Sequence, residues 1–158
     1  MVHGYARSML KVLAAALAAL ALASCAEAFE GRAPMSDAAS DAAGRQLAAP
    51  SPGKAALYVF RADKPQPIVW TVLAGRTTIS QLGTMSWSRV ELLPGQYDLR
   101  CVGGREATPS LVLNLAAGET RYVDLGTEWW KIACTLNEVD AAAGRAGIAA
   151  GKRVLELN

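Results

Sequence analysis

Hydrophobic and polar residues are arranged in two ways along this chain. Val12 to Ala23 is one unbroken apolar run of twelve residues. From Lys54 onward the apolar stretches are short and separated by Gly, Pro and polar residues. In "AALYVFR" (55–61), Leu57 and Val59 occupy one side of an extended chain, Tyr58 and Phe60 the other. Both sides are apolar, which predicts a strand buried on both faces. "PIVWTVL" (67–73) is β-branched and aromatic and ends at an "AGR" turn, and "TTISQL" and "MSWSRVEL" follow as half-polar strands. In "LLPGQYDLRC", Pro94-Gly95 suits the centre of a type II hairpin turn, with Tyr97, Leu99 and Cys101 facing the core beyond it. "LVLNLAAGETRYVDLG" repeats the pattern: Leu111, Leu113 and Leu115 point inward, Gly118 turns the chain, and Val123 and Leu125 point inward again. "WWKIACTLNEV" predicts Trp130, Ile132, Cys134 and Leu136 on one face. "DAAAGRAGIAAGK" closes as a weak helix with Asp140 as N-cap, Gly151 at C′, and Gly144 and Gly147 each costing about 1 kcal/mol relative to Ala. The pattern predicts an all-β fold over 54–158: an antiparallel β-sandwich of about seven strands with a short C-terminal helix.

Composition changes the picture mainly by exclusion. The formal charge of +2 comes from sixteen basic and fourteen acidic residues. Arg7 and Lys11 lie ahead of the first cysteine with no acid beside them, so the remainder is neutral. A neutral domain has no basic stripe for nucleic acid. The one histidine is His3. A chain trimmed at its N-terminus therefore has no Ser-His-Asp or Cys-His chemistry and no His-ligated metal.

The N-terminus predicts an address. Arg7 and Lys11 make a positive flank for the apolar run, which as a helix would be about 18 Å long, short of the roughly 30 Å hydrocarbon core. Met9 opens a complete signal by itself and is an alternative start to Met1. Leu22-Ala23-Ser24-Cys25 resembles the lipobox of bacterial lipoproteins. That resemblance implies a signal peptide over 1–24, with diacylglycerol and an N-acyl chain on Cys25. The alternative is an ordinary secretory signal with an incidental Cys. Two or more acyl chains hold a protein stably on a bilayer, whereas one does so only weakly. In such lipoproteins an Asp after the Cys favours the inner membrane. Ala26 stands there, which implies the periplasmic face of a Gram-negative outer membrane. Residues 25–53, rich in Ala, Ser, Asp, Gly and Pro, predict a flexible tether.

"KAALYVFRADKP", "VLAGR", "VELLPGQYDLRC", "LNLAAGETRYVDL" and "LNEVDAAAGRAGI" occur in an order that resembles the domain of unknown function 2846 family of small bacterial lipoproteins, over residues 55–150. "GTEWWKIAC" departs from the glycine-rich segment common there. The resemblance implies no catalytic residue and no cofactor beyond the covalent lipid. The expectation is a non-enzymatic, lipid-anchored envelope module that recognises another envelope protein.

Cys101 and Cys134 both fall on inward faces, and an oxidising periplasm favours a bridge between them, the alternative being two buried thiols. Trp130 is expected in the core. Trp87 alternates with Met85, Arg89 and Glu91 and so points to solvent, and Trp129 lies opposite Trp130. Exposed Trp87 and Trp129 are candidates for stacking on peptidoglycan or polysaccharide. Glu91, Asp98, Glu106, Glu119, Asp124 and Glu128 show no spacing that pairs them as acid and base, and "GGRE" (103–106) is a loop without a phosphate-binding pattern. No group of residues forms a metal motif.

Overall fold

The computed structural model describes residues 33–62, 68–104 and 109–157. The signal segment and Cys25 lie outside them, so the lipidation, cleavage and start-site expectations have no structural counterpart here.

Two sheets face each other. The five-stranded sheet has the order β8-β7-β1-β4-β9 and the four-stranded sheet the order β3-β2-β5-β6. The strands are β1 (Ala55–Arg61), β2 (Trp70–Ala74), β3 (Thr77–Leu82), β4 (Ser86–Leu92), β5 (Gly95–Val102), β6 (Leu111–Leu115), β7 (Thr120–Glu128), β8 (Ala133–Val139) and β9 (Lys152–Arg153). Two short helices, α1 (Ala38–Gly44) and α2 (Ala141–Ala150), complete the described fold. The all-β sandwich with a C-terminal helix is thus present, with two departures. Nine strands are described rather than about seven. The large sheet is also mixed, because β1 runs parallel to β7 and β4 parallel to β9.

The core between the sheets follows the predicted alternation. Leu57 and Val59 of β1, Leu99 and Cys101 of β5, Leu113 and Leu115 of β6, Val123 and Leu125 of β7 and Leu136 of β8 all belong to it. Trp70 is the largest side chain there, and its indole donates to Thr127 Oγ1 at 3.1 Å, so its one polar atom is satisfied. The opposite side of the large sheet carries a second cluster of Ala56, Tyr58, Phe60, Trp87, Tyr122 and Ile148, the last contributed by α2. β1 is therefore buried at all seven positions, as its doubly apolar pattern predicts.

Pro94-Gly95 does not make a hairpin. β4 belongs to the five-stranded sheet and β5 to the four-stranded one, so this turn is a corner that carries the chain across the sandwich. The turn around Gly118 does the same between β6 and β7. A turn sequence specifies local backbone angles; it cannot specify which neighbour the next strand will pair with.

Residues 33–53, expected as part of the tether, belong to the described fold. Residues from Ala33 onward pack on the sandwich instead of hanging free. Asp37 caps α1 by accepting from Ser40 N at 2.8 Å. Met35 bridges to Val154, and Leu155 N donates to the Pro34 carbonyl at 2.7 Å. Arg45, just past α1, donates to the carbonyls of Ile148, Ala149 and Gly151 at the end of α2, where a helix exposes unpaired acceptors. The described fold thus already includes Ala33, twenty-one residues before the predicted boundary at Lys54.

Candidate functional site

Three features outlined by the sequence can be located: the cysteine pair, the tryptophans and the scattered acids.

Cys101 and Cys134 form a disulfide with Cα atoms 6.1 Å apart. Cys101 lies on β5 and Cys134 on β8, so the bridge ties one sheet to the other through the core. Closing a loop of 33 residues stabilises by roughly 3.7 kcal/mol on the chain-entropy model.

The tryptophans exchange the places predicted for them. Trp87 does face away from the inter-sheet core, but a layer formed by α1 and α2 covers that face, and its exposure is 0%. Its ring lies beneath Gly44 and under the guanidinium groups of Arg45 and Arg153, whose Cζ atoms are 6.0 and 5.6 Å from its centroid. Trp130 is not in the core. The β7–β8 connection reverses over residues 129–132, with Ile132 at φ 50°, and leaves Trp129 66% and Trp130 83% exposed at the tip. Trp87 and Trp129 therefore cannot form a shared surface platform. The displayed pair is Trp129 with Trp130, next to an ion pair between Lys131 and Glu128 at 2.9 Å.

The acids are engaged in surface pairs. Asp98 meets Arg100 at 3.4 Å, and Glu119 meets Arg121 at 2.6 Å. Glu91 accepts from Ser51 and from Arg89, and these bonds hold its carboxyl down at about 2. Glu106 lies outside the described residues. Among the described residues no group of three His, Cys, Asp or Glu side chains is placed to hold a metal ion.

A cleft that sequence reasoning missed lies where the 43–49 segment crosses the outer face of the large sheet. It is an open groove of about 250 Å³ lined by Ala43, Ala48, Ala49, Tyr58, Arg89, Glu91 and Arg153. Burial pushes the Tyr58 phenol above its ordinary value, so the group stays a neutral donor. The cleft exists only because the presumed tether folds back, which no local pattern around 43–49 reveals.

No family model matches the chain, and no curated protein does. Among solved structures it is similar to the C-terminal domain of AlgF from P. aeruginosa, at 21% identity and a TM-score of 0.43, over 55% of this chain and 99% of that one. A likeness at that level carries no functional argument.

Proposed function

We propose that this chain is a lipid-anchored module of the bacterial envelope that works by recognition and not by catalysis, in keeping with its resemblance to the domain of unknown function 2846 lipoproteins. The cross-sheet disulfide carries the reading, because such bridges persist in oxidising compartments and are rare in the reducing cytosol. It agrees with a signal ending in Leu22-Ala23-Ser24-Cys25. Cys25 is eight Cα steps from Ala33, the first described residue, and those steps span at most about 29 Å, so an acylated Cys25 would keep the domain close to its bilayer. Confinement to such a layer raises the effective concentration of any membrane-proximal partner. The recognition surface in this reading is the Trp129–Trp130 tip, and the partner is an envelope protein on the periplasmic side of the outer membrane.

The test is metabolic labelling with palmitate followed by fractionation. Wild-type protein incorporates label and sediments with outer membrane, while Cys25→Ser does neither. Equal behaviour of the two would remove the anchor.

A glycan partner is favoured by one observation, the adjacent exposure of Trp129 and Trp130. Aromatic pairs of this kind stack on sugar rings. Retention on purified sacculi that disappears in Trp129→Ala/Trp130→Ala would select the glycan, and crosslinks to a protein from the same tip would select the protein.

A further inference from the structure

Each sheet of the sandwich ends in two edge strands, β8 and β9 in one and β3 and β6 in the other. An edge strand presents unpaired N–H and C=O groups, and proteins blunt it with charge, proline, a bulge, brevity or a cover. Three of these edges are blunted. β8 carries the exposed Glu138, ion-paired to Arg121. β9 is two residues long and has Met35 and Ser36 beside it, Ser36 N donating to the Arg153 carbonyl at 3.0 Å. β3 is bulged at Ile79, where its register against β2 shifts between Val72 and Leu73. β6 has no charged residue, no proline and no register shift against β5. Among the described residues nothing pairs with its free edge, and its Val112 side chain is 52% exposed.

The register says which backbone groups that edge offers. The Asp98 carbonyl accepts from Gly75 N at 2.9 Å, so Asp98 and its alternates on β5 turn their backbone toward β2. Tyr97 and Leu99 therefore turn theirs toward β6, where they oppose Leu113 and Leu111. The same alternation along β6 leaves Val112 and Asn114 aiming N–H and C=O away from the sheet. The strand is its own complement. Laid antiparallel to a second copy about a two-fold axis at Leu113, Val112 of each copy stands opposite Asn114 of the other, and each such pair exchanges two backbone bonds. Leu111, Leu113 and Leu115, which face the inter-sheet core, then meet their counterparts on one side as a continuous apolar row. No charge within the paired strands stands against a like charge.

We propose that β6 is a self-pairing edge: two copies of this chain join their four-stranded sheets through β6 into one continuous sheet. The two-fold axis closes the contact at a dimer, because each copy spends its unblunted edge on the other. The interface is independent of the anchor and of the tryptophan tip.

The test is sedimentation equilibrium of the full chain carrying Cys25→Ser, which removes any lipid and leaves both other cysteines bridged, over about 1 μM to 1 mM in nonionic detergent. A monomer–dimer equilibrium is expected. Val112→Pro removes an N–H that β5 does not use, so the strand keeps its own ladder while one intermolecular bond is lost from each copy. Dimerisation should weaken about thirtyfold. Val112→Lys brings two cations together on one face, should also weaken the dimer, and serves should the proline variant fail to fold. Trp129→Ala/Trp130→Ala leaves the equilibrium unchanged. Val112→Cys mixed with Asn114→Cys should cross-link faster than either alone, since opposed Cα atoms of such a pair lie about 5.5 Å apart, within reach of a disulfide. A monomer throughout the range overturns the proposal; slow exchange of its Val112 and Asn114 amides would then identify another part of this chain as the cover, and fast exchange would leave the edge to a strand of a different protein. A dimer that neither Val112 variant weakens, or that the tryptophan variant abolishes, overturns the β6 interface. Equal cross-linking in the mixture and in each variant alone overturns the Leu113-centred register.

Discussion

Gly147→Ala is the substitution on which local and tertiary physics disagree most sharply. In α2 an alanine gains about 1 kcal/mol over glycine from helix propensity alone. At this position, however, a Cβ would lie 2.2 Å from Cδ2 and Cε2 of Phe60. One turn earlier, a Cβ on Gly144 would lie 2.3 Å from Cγ and Cδ1 of Tyr122. Carbon atoms in contact prefer about 3.5–4.0 Å, so the helix or the ring must move by more than an ångström. Phe60 is held in a strand buried at every position, so α2 is the element that must lift. Overpacking of this kind costs typically 1–3 kcal/mol, and lifting the helix also loosens Ile148 against the sheet. The net expectation is destabilisation by about 1–2 kcal/mol, with Gly144→Ala alike. The double variant should lose less than the sum, because one displacement of α2 relieves both clashes. Urea unfolding followed by near-ultraviolet circular dichroism measures it, with the exposed Ala146→Gly as the propensity control expected to cost about 1 kcal/mol. Stabilisation of Gly147→Ala by about 1 kcal/mol would refute the close-packing argument and leave propensity in charge.

Reduction of the Cys101–Cys134 bridge, or its replacement by two alanines, should lower unfolding stability by about 3–4 kcal/mol; an unchanged denaturant midpoint under reductant would contradict a closed bridge. Glu91 has a carboxyl depressed from 4.5 to about 2 in the fold, so its contribution is fully present above pH 4.5 and is lost as pH falls toward 2. Asp37, Asp41 and Glu119 are lowered as well and act in the same direction. Stability measured across that acid range should fall less steeply in Glu91→Gln than in wild type. Arg45→Ala removes the donors to the carbonyls of Ile148, Ala149 and Gly151 and should free the 33–53 segment. Limited proteolysis would then cut within 33–53 at enzyme levels that leave the wild type whole; equal resistance would show that other contacts hold the segment.

The residue pattern by itself determined which side chains form the inter-sheet core. It placed Leu57, Val59, Leu99, Val123 and Leu125 inside and put both cysteines on inward faces. A strand alternates with a period of two, and that alternation is written residue by residue. It also assigned Trp87 to the outer side of the large sheet. Whether an outer side meets water depends on what packs over it, and that was decided elsewhere in the chain. α1 looks like linker because its residues are small, yet Gly44 is small where Trp87 needs the space, just as Gly144 and Gly147 are beneath Tyr122 and Phe60. Its attachment rests on Arg45 reaching carbonyls more than one hundred positions away, which no local window contains. The same holds for Pro94-Gly95, a turn whose angles are local but whose role as a corner depends on strand pairing. Trp130 changed sides because the β7–β8 reversal begins one residue before it, and a displaced turn removes the alternation on which its burial was predicted. Periodicity is a property of neighbours in sequence; coverage, pairing and close approach belong to neighbours in space, so only the folded chain sets them.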